Sequence, residues 1–224
     1  SPRFTNYRNY EGDPNSLAQD FVMPIIEDRQ GNIWFGTIDE GLSILQAETG
    51  KFLRIKRDAQ DPNTLLQNSI RSLLEDRTGA IWIGTSAGLT RFDPKLGRFT
   101  VISTPQAGVP ILRIWTQAMT ETRDGSIWVC GDRGFVRVTY DPPPDGHDAI
   151  RTRLSDRRTS VWCTFYPVRV LLENKGSSEM SAIVEDRDGI LWVGTNLGLI
   201  RYDRKTGEEK LFSHDPGNSL TLSN

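Results

Sequence analysis

A motif reading Glu-Asp-Arg-x-Gly-x-Ile-Trp-x-Gly-Thr, with Gly-Leu shortly after it, constrains this chain more than any other feature. Versions of it begin at Glu27, Glu75, Glu121 and Glu185. Their tryptophans, Trp34, Trp82, Trp128 and Trp192, stand 48, 46 and 64 residues apart. A repeat of that length, made of short apolar runs and Gly-centred turns, is a supersecondary unit that buries its faces by stacking on copies of itself. The runs are too short, and too often broken by Gly, for a helical repeat. The second copy is the clearest: strands are expected over 70–75, 80–85, 89–92 and 98–102, with a DPKLG turn whose early Pro and late Gly favour a tight antiparallel reversal. Strands apolar on both faces suit a sheet sandwiched between neighbouring sheets. The expected fold class is all-β, with β-propeller blades of four antiparallel strands each.

The expected organisation is the end of a preceding blade and a linker over 1–20, then blades over 21–68, 69–112, 113–179 and 180–212, and a linker over 213–224 toward a further blade. The connections EGDPNSL, QDPNTL and HDPGNSL recur between units, with Asp-Pro pinning a turn and Asn or Ser able to bond their own backbone. In the first unit Pro24 weakens the pairing of the first strand, with Val22 and Ile25 expected toward one layer and Ile26 toward the other. Gly31, Gly79, Gly125 and Gly189 fall where a positive φ is expected. The third unit loses the pattern over about 141–179, where the stretch 160–172 reads either as a hairpin outside the blade or as a divergent fourth strand. Both ends read as cut, so the chain is expected to be part of a larger propeller. A four-bladed ring is the alternative, in which 3–7 would compete for the place of 208–212.

A net charge of -2, from 27 basic and 29 acidic residues, gives no electrostatic reason to expect nucleic acid or an anionic membrane as partner. No apolar run approaches the roughly 18 residues of a membrane span. Cys130 and Cys163 do not make a disulfide framework; their spacing allows a pair without requiring one, and separate burial is the ordinary fate of two such thiols. No metal site is expected: His147 and His214 are isolated, and DPPPDGHD lacks the spaced oxygens and closing Glu of a calcium loop. No cofactor motif is present. The Glu-Asp pairs recur in three copies and put their side chains on opposite faces of a strand, which suits turn capping better than acid/base catalysis. The four in-phase tryptophans read as packing between blades. Arg151, Arg153, Arg157 and Arg158 read as a solvated insertion.

The segments EDRTGAIWIGTSAGLTRFDPKLG and EDRDGILWVGTNLGLIRYDRKTG, with DPxNSL linkers between copies, resemble the two-component regulator propeller repeat. The match is partial in the third unit, where Cys130 and Gly131 replace Gly-Thr. The resemblance implies a piece of a seven-bladed propeller in the periplasmic or extracellular sensor region of a bacterial hybrid histidine kinase. It also implies further blades, a homodimeric parent and no catalysis by this segment.

Function is then expected where the repeats differ, on the linkers and second-to-third bends that share one face of a propeller. The ligand-binding candidates are Asp39, Glu40, Asn68, Arg71, Arg113, Trp115, Asp132, Arg133 and Asn196. By family analogy the ligand is a small molecule or glycan fragment, with Trp115 able to stack on a ring. A protein-binding scaffold is the alternative. A propeller hydrolase or lyase, the third reading, would have to draw on Asp39, Glu40 and Asp132.

Overall fold

The computed structural model describes residues 4–61, 63–102, 118–131, 134–142, 149–154, 158–173 and 179–214. The chain divides into two compact units, Ser1–Ile102 and Ser103–Asn224.

In the first unit, β1 (Val22–Glu27), β2 (Ile33–Thr37), β3 (Leu42–Leu45) and β4 (Phe52–Ile55) form one antiparallel meander. A second contains β5 (Ile70–Glu75), β6 (Ile81–Thr85), β7 (Gly88–Asp93) and β8 (Arg98–Ile102). The first-to-second and third-to-fourth turns of a meander lie at one end, here called the turn end. The entering linker and the second-to-third bend lie at the other, the bend end. Trp34, Leu42, Ile44, Leu65, Ile70, Ile81 and Ile83 form the core between the two sheets, with Leu73, Phe92 and Phe99 packed against it. Both faces of β6 are buried along its length, as a sheet inside a stack requires.

The register of β1 with β2 shifts between Val22 and Ile25, where Pro24 cannot donate to the ladder. Exposure nevertheless alternates simply along the strand: Val22, Pro24 and Ile26 are half-buried, whereas Met23, Ile25 and Glu27 are exposed. Ile25 therefore does not share a layer with Val22. The expected pairing of those two residues is overturned by the period-2 alternation of the pleat.

The second unit holds β9 (Met119–Glu121), β10 (Ile127–Gly131), β11 (Gly134–Thr139), β12 (Ala149–Arg153), β13 (Ser160–Pro167) and the short α1 (Arg169–Glu173). These are followed by the meander β14 (Met180–Glu185), β15 (Ile190–Thr195), β16 (Gly198–Asp203) and β17 (Glu209–Phe212). The sheet order β12-β13-β11-β10-β9 resolves the divergent stretch. Residues 160–167 pair with β11 as the fourth strand, and β12 is added outside them as a fifth. Tyr166, opposite Phe135, takes the position that Ile55, Ile102 and Phe212 hold in the other sheets. Its ring lies 5.2 Å from that of Trp128.

Cys130 and Cys163 are both free and buried. Burial pushes both thiols up, Cys163 to about 12. They are therefore poor nucleophiles.

Candidate functional site

At the turn end, each Asp of the Glu-Asp pairs binds its own turn and its own tryptophan. Asp76 Oδ1 accepts from the backbone N–H groups of Thr78 (2.8 Å) and Ala80 (3.1 Å), and Oδ2 accepts from Trp82 Nε1 at 2.7 Å. Asp28 does the same for Gln30, Asn32 and Trp34, and Asp186 for Asp188, Ile190 and Trp192. These bonds hold the Asp186 carboxyl below the usual range, that from Trp192 being the largest cause. Gly31, Gly79, Gly125 and Gly189 complete these turns at φ of 81°, 85°, 83° and 85°.

In the third copy Thr122 replaces the Asp, and Trp128 Nε1, buried, has no hydrogen-bond partner among the described residues. Asp124 takes over the turn instead, accepting from Thr122 Oγ1 (2.6 Å) and Ser126 N–H (3.1 Å). Partial burial raises the Asp124 carboxyl, but these bonds and Arg204 outweigh it and bring it down to about 2. The variant T122D restores an acceptor for Trp128, in the Asp-x-Asp arrangement that Asp186 and Asp188 already show. It is expected to stabilise the protein by about 1–2 kcal/mol. A urea denaturation midpoint unchanged or lowered would count against this account.

The Arg of the motif joins neighbouring sheets. Arg29 donates its backbone N–H to Glu75 Oε2 (3.1 Å), Nη1 to Arg77 O (2.9 Å) and Nη2 to Asp76 O (3.0 Å). Arg123 repeats the pattern on Glu185, Arg187 and Asp186 in the second unit. Beside the first junction lies a cleft of about 430 Å³, lined by Trp34, Phe92, Gln30, Gly79, Pro94 and Lys95 among others.

The bend end carries the residues selected from sequence. The Thr of the Gly-Thr pair closes each bend, with Thr37, Thr85 and Thr195 hydroxyls donating to Gly41, Gly88 and Gly198 carbonyls at 2.8–2.9 Å. Asn68 is tied into the scaffold: its Oδ1 accepts from Arg57 N–H (2.6 Å) and its carbonyl from Gly41 N–H (2.9 Å). Asn196 brackets Glu179, accepting its N–H on Oδ1 at 3.0 Å. Glu40 is ion-paired with Lys56. The Asp39 side chain is exposed while its N–H binds Gln19 Oε1 at 3.2 Å. Arg71, half-buried, lies 3.5 Å from Met23 Sδ. Asp39, Glu40, Asn68 and Arg71 thus share the bend end of the first unit, whereas Asn196 belongs to the second. Arg113, Trp115, Asp132 and Arg133 lie outside the described residues.

Sequence reasoning missed the cleft, whose lining comes from turns of two different copies. It also left the Asn of the linkers as a simple turn former. Asn15 and Asn63 in fact accept the N–H of Phe52 and Phe99, each at 2.8 Å, and so pin the fourth strand of the sheet that follows the linker. Among the described residues no cluster of His, Cys, Asp and Glu is arranged to hold a metal, and no helix is long and apolar enough to cross a membrane.

Repeated four-stranded meanders, packed face to face through in-phase tryptophans, are blades of a β-propeller. Residues 16–39, 64–87 and 174–197 match the two-component regulator propeller, and the chain carries that repeat. The extracellular domain of the hybrid two-component system BT4673 from B. thetaiotaomicron superposes with a TM-score of 0.69 at 19% identity, over 97% of this chain and 25% of that one. The corresponding domain of BT3049 from the same organism gives 0.57 at 19% identity, over 99% and 32%. Virginiamycin B lyase from Staphylococcus aureus gives 0.62 at 17% identity, over 94% and 60%. At these identities the likeness is one of fold, and the chain spans a quarter to a third of the two extracellular domains. No curated protein sequence matches the chain.

Proposed function

We propose that this chain is a ligand-recognising propeller segment of a bacterial two-component sensor, held on the periplasmic or extracellular side of the membrane, and that it acts by binding rather than by catalysis. Support comes from the matched repeat and from the fold shared with extracellular domains of hybrid two-component systems. The observation that carries the choice of surface is a division of labour at the bend end. Thr37, Asn68 and Asn196 spend their polar groups on the backbone, whereas Asp39 presents its carboxylate to solvent. A glycan fragment would bridge Asp39, Glu40 and Arg71 at the bend end of the first unit, and Arg113, Trp115, Asp132 and Arg133 belong to the proposal on sequence grounds alone. A histidine kinase output, further blades and a dimeric parent belong to the same reading.

Calorimetric titration with an oligosaccharide panel tests it. Saturable binding weakened at least about tenfold by D39A together with R71A is expected, since each removes a polar partner for sugar hydroxyls. Binding that both variants leave unchanged would move the site elsewhere. The protein-scaffold reading is favoured by the exposed apolar row of Phe21, just before β1, with Met23 and Ile25 on it. It predicts saturable protein binding with no response to oligosaccharide.

A further inference from the structure

Two junctions of one design differ at the turn between third and fourth strands. In the second unit the third-to-fourth turn reads Asp203-Arg204-Lys205, and Arg204 folds back into the junction. Its Nε donates to Gly189 O at 3.0 Å, Nη1 pairs with Asp124 Oδ2 at 3.2 Å, and Nη2 pairs with Glu185 Oε1. Its guanidinium carbon sits 5.9 Å from the Trp128 ring centroid.

In the first unit the same turn reads Asp93-Pro94-Lys95, so Pro94 stands where Arg204 would. The cradle remains: Gly79 corresponds to Gly189, Glu75 to Glu185, Trp34 to Trp128 and Gln30 to Asp124. Gly79, Trp34, Gln30 and Pro94 all line the 430 Å³ cleft. Glu75 Oε1 is buried and accepts no hydrogen bond, lying 3.8 Å from Arg29 Nε, whereas its counterpart Glu185 Oε1 is paired with Arg204. The two glutamates hold the same pose: a Cβ built on Gly79 would lie 3.7 Å from Glu75 Oε1, and one on Gly189 would lie 3.8 Å from Glu185 Oε1. A buried carboxylate oxygen without a donor carries a desolvation cost that a ligand donor relieves.

We propose that this cleft binds a guanidinium group on an apolar stem, seated as Arg204 is seated in the second unit. A planar guanidinium matches the fork formed by a backbone carbonyl and a carboxylate, and it can lie against the tryptophan. The stem would run along Leu53, Ile55 and Phe92, which line the same cleft. Arg29 and Lys95 do not forbid a cation there, because Arg123 and Lys205 hold the same positions beside Arg204. Arg29, moreover, spends both Nη groups on carbonyls. The replacement of Asp124 by neutral Gln30 removes one carboxylate, so the vacant cradle is expected to hold its cation more weakly than the filled one.

Agmatine is the probe, followed by calorimetry and melting temperature on the whole chain, with its urea isostere, which keeps the amine but lacks the guanidinium charge, as control. Saturable binding of agmatine, at least tenfold weaker for the isostere, is the expected result. P94R places an arginine where the second unit has one, in a turn sequence already known to form there. It should abolish agmatine binding while raising the melting temperature of the free protein. E75Q should weaken binding at least tenfold. Equal binding of agmatine and isostere, or undiminished agmatine binding by P94R, overturns the proposal. A short arginine peptide in place of agmatine separates the two sources of the group: a gain in affinity assigns the site to a protein partner, and equal or lower affinity assigns it to a free small molecule. The bend-end variants D39A and R71A should leave agmatine binding unchanged, which keeps this test separate from the glycan reading.

Discussion

D76A is expected to lower the stability of the protein by about 3–5 kcal/mol, because it strands several buried donors at once. Asp76 is almost fully buried and accepts from Thr78 N–H, the Thr78 hydroxyl, Ala80 N–H and Trp82 Nε1. Trp82 has 0% exposure, so no water can replace the lost acceptor at its indole. D186A removes the corresponding backbone and indole bonds from the fourth copy, where Asp188 has no hydroxyl to match Thr78, and Trp192 is only part-buried so that its donor can reach solvent. A smaller loss is expected there. Denaturant midpoints of the two variants check the argument, and equal losses would show that burial of the indole donor is not what sets the cost.

G41A is expected to cost about 3 kcal/mol or more, combining left-handed backbone strain with overpacking. Gly41 has φ of 79°, and a Cβ there would lie 2.3 Å from the Ile55 carbonyl oxygen. That oxygen belongs to the strand paired with β3, so it cannot retreat without opening the ladder. G50A separates the two contributions: its φ is 64°, but nothing lies within 4 Å of the added carbon. About 1 kcal/mol is expected for it, from backbone strain alone. Because Gly41 N–H also holds the Asn68 carbonyl, G41A should loosen the linker-and-bend surface together with the sheet. A G41A protein as stable as G50A would contradict the steric reading.

Why some of this was legible in the sequence and some was not follows from the range of the interactions. The blades are written locally: a turn glycine, an Asp four residues before the N–H it caps, and an indole six residues after that Asp all fall within one short segment, as in Asp76, Ala80 and Trp82. The fourth strand of the third blade was legible only as one of two alternatives, because β13 follows β11 only after β12 has intervened and its place is fixed by pairing with Phe135 and Val138. Asn68 and Asn196 looked like free polar groups because their backbone partners, Arg57 and Glu179, lie 11 and 17 residues away. The cleft was hidden for the same reason. It depends on Pro94 standing beside Trp34 from another repeat, and on comparing that junction with one in which Arg204 fills the space. Periodicity identifies what the repeats share, whereas the vacant cradle arises from a difference at one position between them.

The arginine lock has a consequence for how such arrays change over evolutionary time. Copies of one motif supply the two halves of each joint: Arg29 reaches forward to Glu75, and Arg123 to Glu185, from the same three-residue position that, one repeat on, offers the receiving glutamate and carbonyls. A duplicated or deleted repeat therefore leaves compatible ends on either side of the splice, with no compensating substitution required. Gene-level gain and loss of whole blades is the inexpensive route to a new array, and single-residue drift at the turns, such as Pro for Arg, is free to make one joint different from the next.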